Sequence, residues 1–214
     1  ALYLGVDIIN LSTGGIDFTD TPFTDKVREV VNSGIIVISA IGNDGPGHGT
    51  LSNPGDQAET IGVGGLDSTN QRVAAYSSAG PSLHELSGRV KPDILTYSTS
   101  ILGYSKGSCR TSSGTSIAAP VLTAGLALIL SAVDRRVPPA LIKQALITTA
   151  TILPDTSIFE QGAGVFNLTA TLNIMDTYNE HLSVWPQYIN LGSDLYAPLN
   201  MQRIIPDSMP IVLN

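Results

Sequence analysis

The chain of 214 residues is 43% hydrophobic and 14% charged, a composition that can bury a substantial core. Its formal net charge of −7, without any run of lysine or arginine, excludes nucleic acid as a partner. A single cysteine, Cys109, excludes an internal disulfide framework and a cysteine-rich metal site. The longest apolar run, residues 117–130, is too short to span a bilayer and predicts a buried core helix, so we expect no membrane segment within the chain.

Strand-like and helix-like segments alternate along the chain, which is typical of an α/β protein. The first strand, helix and strand predict a βαβ unit with a right-handed crossover. We predict a mostly parallel sheet, with strands over 6–11, 35–39, 60–65 and 91–97 and helices over about 25–32, 115–133, 138–149 and 167–178. Residues 1–178 are the predicted domain, and 179–214, which lack helical periodicity, are expected to be an extended tail or the start of a following domain.

Two glycine-containing loops follow the first two strands, at residues 12–15 and 40–45. Parallel strands place these loops on the same edge of the sheet, where open α/β sheets hold their ligands. The two loops are therefore expected to meet and to let a substrate backbone lie close to the protein backbone. Ordinary turn chemistry is the alternative explanation of the same residues.

Ser116 lies between a glycine turn and an apolar helix, within the stretch 112–120. At a helix start, unpaired N–H groups and the positive end of the dipole favour developing negative charge, which suits a serine nucleophile. A helix-capping serine is the simpler alternative.

Acyl transfer by serine also needs a base, an orienting carboxylate and donors for the tetrahedral oxyanion. Asn43, in the second loop, could place its side-chain amide beside the Ser116 N–H as an oxyanion hole. The alternative is that Asn43 is a turn residue before Asp44 and Gly45.

Three motifs together resemble the subtilisin-like serine proteases, the subtilases. Residues 114–120 resemble the nucleophile motif of that family, 40–45 its oxyanion loop and 10–15 the strand that pairs with an extended peptide. The resemblance covers about residues 5–176. It implies a three-layer fold with a mostly parallel central sheet, here incomplete at the N-terminus, and hydrolysis of peptide bonds in protein substrates.

The resemblance also assigns roles to individual residues. It makes Ser116 the nucleophile and Asn43 the oxyanion donor, and the Asn53–Pro54 bond falls where the family has a cis proline. The substrate-binding residues that it implies are Ser12, Thr13, Gly14, Ala40, Ile41, Gly42, Pro54 and Gly114. None of these wall segments carries an acid, so we predict a non-basic residue before the scissile bond, although Asp44 and Asp56 are near in sequence.

The histidine and aspartate motifs of the family precede its oxyanion loop, and neither occurs before Asn43 here. His48-Gly49-Thr50 spells the histidine motif but follows the loop, and His84 and His181 are weaker candidates still. We therefore expect the catalytic Asp and His upstream of this chain, and this chain alone to be inactive.

Within the family, residues 39–46, 90–97 and 159–162 resemble most closely a membrane-bound Golgi enzyme of the subtilisin/kexin class. This likeness implies the secretory pathway, a pro-segment, a membrane anchor outside the chain, and arginine upstream of the cleaved residue. No cofactor is evident. The family often binds calcium, but the matching loops would lie mostly outside this chain, and the pair Asp17 and Asp20 is typical of solvated surface, so no metal site is predicted.

Three other functions fit some of these residues. The main alternative is a non-catalytic subtilisin-like module that binds an extended peptide along residues 12–15. An α/β-hydrolase would need glycine where Ala118 stands. A nucleotide-binding loop would need lysine after the glycine turn, which Gly114-Thr115-Ser116 lacks.

Overall fold

Short, β-branched segments form the central sheet. In the computed structural model, which describes residues 1–16, 20–83, 88–133, 136–175 and 177, four strands run parallel in the order β1-β2-β3-β5. They are β1 (Ile8–Leu11), β2 (Ile36–Ala40), β3 (Ile61–Asp67) and β5 (Ile94–Tyr97). Ile8 lies opposite Ile36, Ile38 opposite Ile61, and Val63 opposite Ile94. The two-residue strand β4 (Arg72–Val73) pairs antiparallel with the end of β3.

Helices cover both faces of this sheet. The main core joins Ile36, Ile38 and Ala40 of β2 to the buried sides of α2 (Thr115–Ala132), α3 (Pro139–Thr149) and α5 (Leu168–Met175). Val37 of β2 points the other way and is buried outside that cluster, and α1 (Thr21–Asn32) packs on β2. Alternate residues of one strand therefore face two helical layers. This confirms the predicted three-layer α/β fold with its mostly parallel sheet.

Helix α2 is the central helix, and it contacts all four parallel strands. With 18 residues it is long and apolar enough to cross a membrane. The prediction that the apolar run 117–130 is too short to span a bilayer is therefore wrong, because the helix extends beyond that run. Its buried face nevertheless packs on the sheet through Ala118, Leu122, Leu126 and Ile129. A buried core helix therefore accounts for its composition.

The predicted elements all occur within the described residues, with shifted ends. Helix α1 begins at Thr21, a full turn before the predicted start, because Asp20 caps it by accepting from the Phe23 N–H at 3.2 Å and Pro22 occupies its first turn. Asn167 caps α5 by accepting from the Ala170 N–H. The expectations for 179–214 lie outside the described residues.

Besides β4 and a 3₁₀ helix at Leu2–Leu4, the sequence analysis missed two features. One is a hairpin of β6 (Ile101–Ser105) and β7 (Ser108–Ser112), joined by Lys106 and Gly107, both at positive φ. The other is the short helix α4 (Ile158–Gln161), which starts with a capping box of Ser157 and Glu160. The hairpin leads directly into the glycine turn before α2.

A buried ion network ties the start of the sheet to α3. The Lys91 Nζ donates to Asp93 Oδ2 at 2.6 Å and to the Thr60 carbonyl at 3.0 Å. Lys143 of α3 lies 2.9 Å from Asp93 Oδ1, and the Gly62 N–H donates to Asp93 Oδ2 at 2.7 Å. Burial lowers the pKa of Lys91 to about 8, although the Asp93 charge opposes that shift. The network therefore depends on one carboxylate shared by two ammonium groups.

Candidate active site

The turn before α2 brings Ser116 and Asn43 to the same place. Gly114 has φ 144°, a backbone conformation that favours glycine, and it caps the helix. A Cβ atom on Gly114 would lie 3.0 Å from Ser116 Oγ and 3.7 Å from both terminal atoms of the Asn43 side chain. The serine hydroxyl and the asparagine amide therefore flank the same side of this glycine, although they are 73 positions apart in sequence.

Thr115 fixes the orientation of the Asn43 amide. Asn43 Oδ1 accepts from the Thr115 backbone N–H at 2.8 Å and lies 3.0 Å from Thr115 Oγ1. Thr115 is fully buried, and its hydroxyl also donates to the Gly42 carbonyl at 3.1 Å. With its oxygen held in this way, Asn43 keeps both Nδ2 hydrogens available as donors toward a ligand. The sequence analysis assigned no role to Thr115.

Ser116 is the second residue of α2 and is half-buried. Among the described residues, nothing accepts from its backbone N–H, and its hydroxyl makes no hydrogen bond. A free N–H at a helix start and a free amide on Asn43 are two donors that can converge on one negatively charged oxygen.

The segment 76–78 supports the Asn43 loop from behind. The Ser78 N–H donates to the Gly42 carbonyl at 3.1 Å, and the Asp44 N–H donates to Ser78 Oγ at 3.0 Å. The Gly45 N–H donates to the Tyr76 carbonyl at 3.0 Å. Hydrogen bonds on both sides of Asn43 therefore hold its backbone in place.

The loop after β1 pairs with the segment around the cis Asn53–Pro54 bond, the conformation that the resemblance implies. Gly15 and Asn53 exchange two backbone hydrogen bonds, of 3.1 and 2.8 Å. A Cβ on Gly14 would lie 2.8 Å from the Asn53 carbonyl oxygen, so this close approach requires glycine. Ser12, Thr13 and Gly14 are exposed, which leaves this stretch open to an incoming chain.

A cavity of about 360 Å³ opens beside this stretch. We call it the Asp20 cavity; its lining residues are Leu11, Thr13, Gly14, Gly15, Asp20, Phe23, Asn53 and Pro54. Asp20 places an acid at a wall for which the sequence offered none, and Phe23 adds an aromatic ring. The sequence signal that could have identified Asp20 is its position just before α1, because a residue that caps a helix has its carboxylate held at the helix start.

Three of the predicted substrate-binding residues line this cavity, namely Thr13, Gly14 and Pro54. Ala40 and Ile41 are buried, Ile41 completely, so neither side chain lines an open wall. The two acids named from sequence are not among its lining residues either: Asp56 is fully buried, and Asp44 is exposed.

His48 is not brought to Ser116 by a hydrogen bond. Its Nδ1 lies 3.1 Å from the Gly80 carbonyl oxygen, and its ring packs edge-on against Phe159. His84 and His181 lie outside the described residues. The part of the chain that the structure describes therefore holds no base in contact with the Ser116 hydroxyl.

Metal ligands are not clustered in the described ranges, which hold no group of three or more His, Cys, Asp or Glu that could bind an ion. Asp17, one member of the pair singled out in the sequence, lies outside the described residues.

Comparison with known proteins identifies one family. Residues 2–164 match the model of the family described as the Subtilase family. The whole chain aligns over 221 residues with membrane-bound transcription factor site-1 protease of Homo sapiens, at 45% identity, and covers 21% of that protein. It aligns over 225 residues with subtilisin-like protease SBT6.1 of Arabidopsis thaliana, at 41% identity, and covers 22% of it.

The solved structure of the patellamide maturation protease PatA has a similar fold. It matches with a TM-score of 0.70 at 27% identity, over 84% of this chain and 66% of that one. The chain spans about a fifth of the length of the two curated relatives above.

Proposed function

The chain belongs to the subtilase family, a family of serine proteases, and we propose that it supplies the nucleophile, the oxyanion hole and the substrate strand of a serine endopeptidase. The observation that carries this proposal is the pair of contacts from Thr115 to Asn43 Oδ1. They leave an amide donor beside Ser116 at the start of an apolar core helix.

In the proposed reaction, Ser116 Oγ attacks the carbonyl carbon of the scissile peptide bond. The carbonyl oxygen becomes negatively charged and accepts hydrogen bonds from Asn43 Nδ2 and the Ser116 N–H. The positive end of the α2 dipole adds to this stabilisation. The base takes the proton of the Ser116 hydroxyl and gives it to the leaving amine as the C–N bond breaks, which leaves the acyl-enzyme. Water then attacks the acyl-enzyme through a second tetrahedral intermediate in the same hole, which releases the carboxylic acid and returns the proton to Ser116.

We propose that the histidine that accepts the Ser116 proton, and the aspartate that orients it, lie in sequence preceding Ala1. Two observations support this. The ring of His48 packs against Phe159 and its Nδ1 contacts the Gly80 carbonyl, and the curated relatives are about five times longer than this chain. A chain without the base is expected to be inactive, because an unactivated serine hydroxyl is a weak nucleophile.

The substrate is proposed to be an extended polypeptide that adds a strand along Ser12, Thr13 and Gly14, which are exposed. A non-basic residue is proposed before the scissile bond. The Asp20 cavity, which shares Thr13, Gly14 and Pro54 with the predicted substrate-binding wall, suits a basic side chain, because a carboxylate and an aromatic ring both favour a guanidinium group. We propose that this side chain is an arginine upstream of the residue before the scissile bond.

The physiological setting is proposed from the relatives. The human relative is named membrane-bound transcription factor site-1 protease, and from that likeness we propose that the protein processes protein precursors in the secretory pathway, with a pro-segment and a membrane anchor outside this chain. A non-catalytic peptide-binding module remains the second candidate, because no described base contacts the Ser116 hydroxyl.

A fluorophosphonate probe separates these two candidates. In the natural full-length protein that contains this chain, we expect the probe to label Ser116, and Ser116→Ala to abolish labelling. Ser112→Ala removes an exposed hydroxyl just before the glycine turn and is the matched control, which should be labelled normally. Labelling of the 214-residue chain to the same extent would show that the base lies within it. Absence of labelling in the full-length protein would favour the peptide-binding module.

A further inference from the structure

Tyr76 lies in the segment after β4 and is half-buried, and it contacts both halves of the site described above. Its backbone carbonyl accepts from the Gly45 N–H at 3.0 Å, two residues after Asn43. The packing there is tight, because a Cβ on Gly45 would lie within 3.0 Å of the backbone of both Tyr76 and Ser77. The main chain of Tyr76 is therefore fixed against the Asn43 loop.

The phenol group of the same residue reaches the turn that carries Ser116. Its hydroxyl oxygen accepts from the Gly114 N–H at 3.2 Å and donates to the Ser98 carbonyl at 2.9 Å. It also lies 2.7 Å from Ser98 Oγ and 3.1 Å from Thr99 Oγ1. The hydroxyl thus joins the glycine turn to the segment that follows β5.

We infer that Tyr76 is a positioning residue that sets the separation between the Asn43 amide and the Ser116 hydroxyl. Its carbonyl holds the loop of the first group, and its hydroxyl holds the turn of the second. An oxyanion hole works only when its donors are preorganised at the position of the developing charge, so a loosened turn weakens it without altering the donors themselves. The catalytic consequence rests on the proposed peptidase function, whereas the effect on the turn does not.

Tyr76→Phe tests this inference cleanly. The buried partners of the hydroxyl keep another hydrogen bond, because the Gly114 N–H also donates to the Ser98 carbonyl at 3.0 Å and Ser98 Oγ donates to the Leu66 carbonyl at 3.2 Å; the remaining partner, Thr99 Oγ1, belongs to a half-buried residue. The substitution therefore leaves no buried donor unpaired and is expected to fold. Tyr97→Phe removes the hydroxyl of a partly exposed tyrosine at the end of β5 and is the matched control.

The kinetic measurement is cleavage of a quenched peptide by the natural full-length protein. Loss of the hydrogen bond between the Tyr76 hydroxyl and the Gly114 N–H predicts a fall in kcat of about fivefold to tenfold for Tyr76→Phe, with KM unchanged. Tyr97→Phe should leave both constants unchanged. A change in KM alone, or equal kcat values for the two variants, would overturn the inference.

Amide hydrogen exchange gives a measurement that does not depend on catalysis. We expect exchange at the Gly114 amide to accelerate at least about threefold in Tyr76→Phe and to stay at the wild-type rate in Tyr97→Phe. If wild-type protein and Ser116→Ala show equal peptidase activity, the proposed function fails, and the exchange rates alone then decide whether Tyr76 holds the turn. Unchanged exchange at Gly114 overturns the inference in either case.

Discussion

Replacing Asn43 by aspartate separates the two interactions that its side chain makes. An aspartate still offers an oxygen to the Thr115 N–H and Oγ1, the contacts that hold the Asn43 side chain at 2.8 and 3.0 Å. It lacks the amide donor and presents a negative oxygen in its place. The substitution therefore removes the proposed oxyanion donor while it keeps the anchoring contacts.

The magnitude follows from the chemistry of that donor. Loss of one oxyanion-hole donor lowers kcat by about 100- to 1,000-fold, or about 3–4 kcal/mol of transition-state stabilisation. Charge repulsion between aspartate and oxyanion makes the lower figure a minimum. Asn43 is exposed, so the new carboxylate stays hydrated and the free energy of unfolding should change by no more than about 0.5 kcal/mol.

The assay is cleavage of a quenched peptide by the full-length protein, with thermal unfolding as the check on folding. Asp44→Asn makes the opposite change of charge at the next residue, whose exposed side chain faces solvent, and is the control; its kcat should stay within about threefold of wild type. A fall in kcat of less than about tenfold for folded Asn43→Asp, or a rise in KM alone, would refute the assignment of Asn43 as oxyanion donor.

Two further substitutions test specificity and stability. Asp20→Asn keeps an oxygen that caps α1 but removes the negative charge. KM should therefore rise about tenfold for peptides with an upstream arginine, and it should not change for analogues with alanine at that position. Asp25→Asn, on the same helix, is the control, and an equal rise in KM for that variant would exclude a specific contact of Asp20. Asp93→Asn leaves Lys91 and Lys143 without their carboxylate and should lower the free energy of unfolding by about 3–5 kcal/mol in urea at about pH 7. Burial raises the pKa of Asp93, but the charges of Lys143 and Lys91 outweigh it and hold that pKa below its usual value. The stabilisation by Asp93 is therefore complete above about pH 4 and is lost as the pH falls through the lower folded-state pKa; wild-type stability that does not fall under acid would contradict this.

The sheet could be predicted from sequence because its strands are short, apolar and bounded by glycine. Residues 35–39 predicted a strand buried on both faces, and β2 (Ile36–Ala40) is buried throughout. The β6–β7 hairpin was missed although Lys106-Gly107 is a suitable two-residue turn, because β7 is polar and the apolar side chains Leu102 and Tyr104 of β6 are exposed. Neither strand has the buried apolar pattern on which such predictions depend.

The site was predictable only as far as topology fixes it. Parallel strands bring the loops after β1 and β2 to one edge, and that placed Asn43 and residues 12–15 near the helix that carries Ser116. The contacts that orient the side chains were not predictable. Thr115 and Asn43 are 72 positions apart, and Tyr76 and Gly114 are 38 apart, so these hydrogen bonds exist only once the loops are packed.

Asp20 shows why the charge of a pocket cannot be predicted from the wall segments alone. Residues 12–14 and 40–42 carry no carboxylate, which argued for an uncharged pocket. The Asp20 cavity receives its carboxylate from the cap of α1 instead, where the helix start fixes its place beside Thr13 and Gly14. Thr13, Gly14 and Pro54 belong to the predicted wall and also line the Asp20 cavity, so the absence of a carboxylate from the wall segments does not by itself argue for an uncharged pocket.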